Sequence, residues 1–239
     1  MPPAYGSDAG ADRGAAVKLG WLGLVMILGA AGQGRGQAAG DAKPDAVITF
    51  RLERPGVPVP SYVFTVHEDG RGSYEVTYPA VGYTTAAETV TMPLKLRDVT
   101  TAGLFEKVRS TDHLRGGCES KAKNIANTGT KTLSYAGADG TASCVFNFTE
   151  NKVVSSLTET FLGMAYTLDA GRELQQKQRF DHLGLDREMN ALADGVRDGK
   201  ALEVVNIAPI LRSLADDTAV MERVRTRAAK LLEQSGTGR

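Results

Sequence analysis

The stretch that decides the fold is residues 62–78, which read YVFTVHEDGRGSYEVTY. Apolar or aromatic side chains alternate with polar ones on both sides of the Asp69-Gly70 dipeptide. Alternation with a period of two indicates a half-buried strand, and Asp-Gly favours a tight turn between two strands. The stretch therefore predicts a β-hairpin, whose strands carry Tyr62, Tyr74 and Tyr78.

Further strand patterns surround this hairpin. Residues 46–53 alternate in the same way, and the prolines that follow cannot continue a strand because they lack an amide donor. The same reasoning predicts a strand near residues 89–96, a helix capped by Asp98 or Thr100 that ends near Ser110, and a second hairpin formed by residues 130–135 and 142–148.

From Asn151 onward the apolar residues recur with the period of a helix. This pattern predicts helices over residues 151–179, 186–197 and 206–215, followed by a last helix that Asp216 or Asp217 caps and that ends near Glu233. Strands that precede helices indicate the α+β class. We predict a mainly antiparallel α+β domain at 45–150 with a short helix, a helical region at 151–234 and a disordered tail at 235–239.

The N-terminal segment has the composition of a secretory signal peptide. Residues 19–31 form an uncharged apolar run that follows Lys18 and precedes small residues suited to cleavage. We predict a signal peptide at 1–38 and a linker at 39–44, with Val17 as the alternative start of translation. The run is shorter than a membrane span of about 20 residues. The predicted localisation is therefore exported, periplasmic or secreted; an uncleaved anchor and a buried helix are the alternatives.

Cys118 and Cys144 are the only cysteines of the chain. Because disulfides form in exported proteins, an even pair predicts a bond that closes a loop of about 27 residues and stabilises the fold by roughly 3–4 kcal/mol. Two buried free thiols are the alternative. Two cysteines and three scattered histidines do not match the ligand spacing of a zinc site, so we predict neither a metal nor a cofactor.

Charge is balanced over the chain as a whole. Of the 239 residues, 28 are Lys or Arg and 28 are Asp or Glu. A protein that binds nucleic acid or an anionic membrane through its overall charge has an excess of basic residues. The composition therefore argues against nucleic acid as a partner and leaves a protein or a small molecule as the partner. Because the apolar run at residues 19–31 is short, we also predict no stable membrane span after signal cleavage.

Two catalytic candidates carry weak signals. Ser120 and Lys123 match the Ser-x-x-Lys spacing, in which a helix places the lysine amine one turn from the serine, but the companion motifs of that enzyme class are absent. His113 follows Asp112 without any motif of a known hydrolase. A chance match is favoured for both, so no catalytic residue is predicted, and a small secreted or periplasmic hydrolase stays open as an alternative function.

Tyrosines concentrate around the first hairpin. Tyr62, Tyr74 and Tyr78 lie on its strands, and Tyr83 follows them. Aromatic pairs across strands stabilise a sheet, whereas an exposed set forms a binding surface. We predict a non-enzymatic binding or interaction module that uses the surface of Tyr62, Tyr74 and Tyr78. An envelope assembly component that self-associates through its C-terminal helices is a further alternative.

Residues 54–74 contain Arg54-Pro55-Gly56, then Pro60-Ser61-Tyr62, then Asp69-Gly70 and Tyr74. This arrangement resembles a family of small, uncharacterised exported bacterial domains, whose pattern is Arg-x-x-Cys-x-Gly-x-Cys-Pro-x-Tyr followed by Asp-Gly and an aromatic residue on the next strand. The resemblance covers residues 46–170, and the paired cysteines of the family pattern are absent here. It implies an exported protein but no activity, since the family has no assigned reaction.

Overall fold

The computed structural model describes residues 45–57, 59–78, 87–116 and 118–236. The predicted signal peptide and linker, Tyr83 and the last three residues of the predicted tail lie outside the described residues. Within them, six strands form one antiparallel sheet in the order β4-β3-β2-β1-β5-β6. The strands are β1 (Val47–Glu53), β2 (Ser61–His67), β3 (Arg71–Tyr78), β4 (Glu88–Lys95), β5 (Thr130–Gly137) and β6 (Gly140–Phe146).

One helix interrupts the strands and four follow them, among the described residues. They are α1 (Asp98–Ser110), α2 (Lys152–Phe180), α3 (His182–Arg197), α4 (Ala208–Asp216) and α5 (Glu222–Gln234). Short 3₁₀ turns occupy Asp112–Leu114 and Val204–Ile207. The α+β class, its mainly antiparallel sheet and its C-terminal helical region are therefore confirmed.

The helices cover one face of the sheet, as the alternation of the strands requires. Phe50 of β1 lies opposite Phe64 of β2 and Leu133 of β5, and all three side chains are fully buried. Phe161 of α2 stacks on Phe50, with 4.9 Å between the ring centroids. On the other face of the sheet, the described side chains are exposed or half-buried. The core therefore lies between the sheet and α2.

The structure confirms the predicted start of α2 but not that of the last helix. The side chain of Asn151 caps α2 by accepting hydrogen bonds from the amides of Val153 and Val154. The last helix begins at Glu222, not at Asp216 or Asp217, because the Asp217 carboxylate instead accepts the amide of Ala219 within a turn. The predicted start of this helix was therefore wrong.

The N-terminus of α1 is also capped differently from the prediction. Arg97 occupies the cap position and its own side chain makes no capping bond. The buried carboxylate of Glu203, which precedes the turn Val204–Ile207, accepts the Arg97 amide at 3.0 Å and the Thr100 hydroxyl at 2.5 Å. The predicted cap by Asp98 or Thr100 was therefore wrong, and Glu203, 106 positions from Arg97, instead anchors the start of the helix.

A disulfide joins Cys118 to Cys144, with 5.8 Å between the Cα atoms. Both residues are buried, and the bond fastens the segment after α1 to the edge strand β6. Hydrogen bonds reinforce the same junction, because the Ser120 amide donates to the Phe148 carbonyl and the Asn147 amide donates to Glu119. The sequence-based pairing of the two cysteines is confirmed.

Candidate functional site

The predicted tyrosine surface is not accessible at two of its three residues. Tyr62 and Tyr74 are 5% and 0% exposed, and their rings pack together with a centroid separation of 5.5 Å. They point to the same face of the sheet as Phe64 and Val76, which is the face that the helices cover. The expectation of an exposed Tyr62 and Tyr74 is therefore corrected: they stabilise the core.

Tyr78 belongs to a half-buried polar cluster at the end of β3. The Arg172 guanidinium lies over its ring, 4.3 Å from the centroid, and the Tyr74 hydroxyl donates to Asp169 at 3.3 Å. Burial raises the pKa of the Asp169 carboxyl, and the charge of Arg172 offsets part of that increase. The Tyr78 hydroxyl and the Arg172 Nε are buried and have no hydrogen-bond partner among the described residues. Tyr78 as a whole is half-buried, so part of its surface remains accessible.

The catalytic candidates from the sequence are not assembled into a site. Ser120 and Lys123 lie in an irregular segment, so Lys123 is not held one helical turn from the serine. The Ser120 hydroxyl accepts the amide of Ala122 at 3.0 Å, which is a local turn contact. The side chain of His113 lies outside the described part of the structure.

The described residues contain neither a group of side chains arranged as a metal site nor a helix suited to span a membrane. No group of three or more His, Cys, Asp or Glu side chains in that part of the chain is arranged to hold a metal ion. Among the same residues, every helix is too short or too polar to cross a bilayer.

A groove lies between α3 and α5. It has a volume of about 900 Å³, within the range typical of small-molecule pockets. Ala193 and Val196 of α3 and Leu231 of α5 supply its apolar lining. The two helices pack together because each carries an apolar stripe, with Met189 and Leu192 buried on α3 and Val224 and Ala228 buried on α5.

Four cationic side chains and two carboxylates line this α3–α5 groove. The cations are Arg197, Arg223, Arg227 and Lys230, and the carboxylates are Asp194 and Glu222. Arg223 and Arg227 both contact one oxygen of Asp186, at 3.0 and 3.3 Å, so that a single carboxylate is shared between two guanidinium groups. Lys230 is exposed and makes no ion pair with another described residue.

This arrangement can bind an anionic group beside an apolar one. Arg227 and Lys230 stand on the groove side of α5, and neither has a carboxylate to itself. An incoming carboxylate would accept hydrogen bonds from their N–H groups while Leu231 contacts the apolar part of the ligand. Because both cations are solvent-exposed or half-buried, salt will weaken this attraction.

The sequence analysis did not predict the groove, although one of the two features that form it is visible in the sequence. Arg223, Arg227 and Lys230 are spaced i, i+4 and i+7, which places them on one face of a helix. The other feature is the packing of α3 against α5, which no local sequence pattern specifies.

Comparison of the sequence with protein families and with curated proteins gives no relative. No protein-family model matches the chain, and no curated protein matches it. The resemblance to small exported bacterial domains therefore stays a prediction.

Proposed function

We propose that this protein is an exported, non-enzymatic binding module whose α3–α5 groove receives an anionic partner. The observation that carries the proposal is the surplus of cations over an apolar floor, with Arg223 and Arg227 sharing Asp186 and with Lys230 unpaired among the described residues.

The shape of the groove favours an acidic amphipathic helix over a compact anion. A helix laid between two others presents an apolar stripe to the floor and charged residues to the rims, which is a common mode of peptide recognition. Here the floor is supplied by Val196 and Leu231, and the cations Arg223, Arg227 and Lys230 form one rim along α5. Complementary charge on the partner would fix its orientation and speed its association.

Export is the other part of the proposal. It is supported by the predicted signal peptide at residues 1–38 and by the disulfide between Cys118 and Cys144, a bond that is rare in reducing compartments. Fractionation of expressing cells, with intact-mass measurement and thiol alkylation, tests this part. We expect a shortened chain outside the cytoplasm without alkylatable thiols; a full-length cytoplasmic chain with two free thiols would overturn it.

The groove is tested with a fluorescein-labelled helical peptide that carries leucines on one face and glutamates on the other. We expect fluorescence anisotropy to show saturable binding that weakens as salt is added. The double variant Arg227→Glu and Lys230→Glu should weaken binding by roughly tenfold or more, because two attractive charges become repulsive.

Two controls make the result specific to the groove. Binding of the same peptide with lysines in place of glutamates should not be weakened by Arg227→Glu with Lys230→Glu. The variant Lys123→Glu makes an equal change of charge per residue at an exposed position far along the chain from α5, and it should bind as the unmodified protein does. No binding of the acidic peptide, or equal loss in Lys123→Glu, contradicts the proposal.

A further inference from the structure

A second groove lies between α2 and α3, on a face of α3 next to the one that lines the first groove, and Asp194 lines both grooves. The second groove has a volume of about 620 Å³, and its lining includes the exposed side chains of Leu162 and Tyr166. Leu162 and Tyr166 are one helical turn apart on α2. They place an aliphatic and an aromatic side chain side by side in the groove.

The ring of Tyr166 is held in place by α3. Its hydroxyl donates to the carbonyl of Ala191 at 3.1 Å. Its ring lies against Gly195, where a Cβ atom would come within 2.7 Å of the Tyr166 Cε1 atom. Glycine is thus required at this position for the ring to approach the helix backbone. Tyr166 is nevertheless 40% exposed, so the ring presents accessible surface although it contacts both Ala191 and Gly195.

The charges around this ring are mainly negative. Glu159, Asp194 and Asp198 line the groove, and Lys200 is the cation among its lining residues. Arg197 contacts both Asp194 and Asp198, at 2.7 and 3.2 Å, so one guanidinium is divided between two carboxylates. Glu159 accepts only the Ser155 hydroxyl in the described contacts. Burial, and then the charges of Glu188 and Asp194, raise the pKa of Tyr166.

We propose that the α2–α3 groove is a binding site for an organic ammonium ion, which would lie against the face of Tyr166. An aromatic face attracts a cation through the negative potential above its ring, and the attraction suits ammonium groups whose alkyl parts also contact apolar side chains. Leu162 supplies the apolar contact, and Glu159 supplies a carboxylate with no cationic partner among the described residues. The site shares Asp194 with the α3–α5 groove but is centred on Tyr166 of α2, and it has the opposite charge preference.

The probe is choline, and its matched control is 3,3-dimethylbutan-1-ol, which has the same shape without the charge. Titration calorimetry should show choline binding at least about fivefold tighter than the neutral alcohol. Tyr166→Leu should remove this preference for the cation, because a leucine has no π face. Tyr166→Phe should retain it, because the ring stays even though the hydrogen bond to Ala191 is lost.

Two further variants separate this site from the α3–α5 groove. Gly195→Ala should weaken choline binding, since the added methyl group displaces the ring. Arg227→Glu with Lys230→Glu should leave choline binding unchanged while it weakens binding of the acidic peptide. The inference is overturned if choline does not bind, if choline and the alcohol bind equally, or if Tyr166→Leu binds choline as the unmodified protein does.

Discussion

The sheet half of this protein, residues 45–150, and its helical half, residues 151–234, differ in how their surfaces are used. In the sheet half, the inward side chains of the strands fill the core, and a disulfide fastens the edge strand β6. In the helical half, α3 packs on α2 at one side and on α5 at the other, and a groove lies at each of these contacts. Buried side chains of both halves form one core, whereas both of these grooves lie in the helical half. Stability therefore depends on both halves, and binding is expected to depend on the helical half alone.

Among the contacts that join these halves, two carry carboxylates into the junction. Glu203 of the helical half accepts hydrogen bonds at the start of α1, and Asp169 of α2 accepts the Tyr74 hydroxyl under β3. The comparison is therefore tested at three places: within the sheet half, at the Glu203 contact and at the Asp169 contact. If the two halves are specialised as described, changes at these places will alter stability much more than binding.

Removal of the disulfide is expected to have the largest effect. Cys118→Ser with Cys144→Ser should lower the free energy of unfolding by roughly 3–4 kcal/mol, because the unfolded chain loses the constraint of a closed loop. Denaturant titration measures this loss, and reduction of the unmodified protein should reproduce it. Anisotropy with the acidic peptide should be unchanged under conditions where the variant is folded. A variant of full stability, or one that folds but loses peptide binding, contradicts the separation of roles.

Loss of the Glu203 carboxylate is expected to have the next largest effect. Glu203 is 3% exposed and accepts the Arg97 amide, the Arg97 Nε and the Thr100 hydroxyl. Glu203→Ala should destabilise the fold by about 2–3 kcal/mol, since a charged acceptor is removed and its donors lose their partner. Thermal and denaturant unfolding measure the change.

Glu203→Gln is the matched control for this contact. Its amide oxygen can still accept a hydrogen bond, and glutamine keeps the size of the side chain. The backbone at this position has a φ of 56°, which is strained for any residue with a Cβ atom, and it is so in both variants. We expect Glu203→Gln to lose about half as much stability as Glu203→Ala. Equal losses would show that charge, not hydrogen bonding, holds the junction.

The elements that the sequence predicted well are those whose cause is local. Alternation located the strands to within a few residues, and Asn151 was identified as the cap of α2 because the amides that donate to its side chain lie in the next turn of the same helix. The position of Tyr62 and Tyr74 was also available from the sequence, since they share parity with Phe64 and Val76. The prediction gave more weight to the aromatic character of these two residues than to this parity, and it therefore placed them on an exposed surface.

The elements that the sequence did not predict depend on residues far apart in the chain. The start of α1 is anchored by Glu203, and its carboxylate lies there because the turn Val204–Ile207 packs near β4. Both grooves require α3 to contact two helices at once. The spacing of Arg223, Arg227 and Lys230 places them on one helical face, but it does not say which helix stands opposite.

The smallest effect is expected at Asp169, and it should depend on pH. Burial raises the pKa of this carboxyl in the folded protein above the unfolded value of about 3.9. The folded state then holds the proton more tightly than the unfolded state, so this group's contribution to stability is fully present below the unfolded pKa. The contribution falls as pH rises through the folded pKa. Asp169→Asn should abolish this fall and change stability at neutral pH by less than about 1 kcal/mol, in the stabilising direction.

Tyr74→Phe provides the opposite change at the same contact. Without the hydroxyl, the ionised Asp169 loses its hydrogen-bond donor, so the pKa of the carboxyl should rise further and the loss of stability with pH should steepen. Unfolding free energies measured across the acidic range in both variants distinguish this account from one of packing alone. A packing effect would shift both variants by an amount that does not vary with pH, whereas titration of Asp169 makes their pH dependences diverge in opposite directions from that of the unmodified protein.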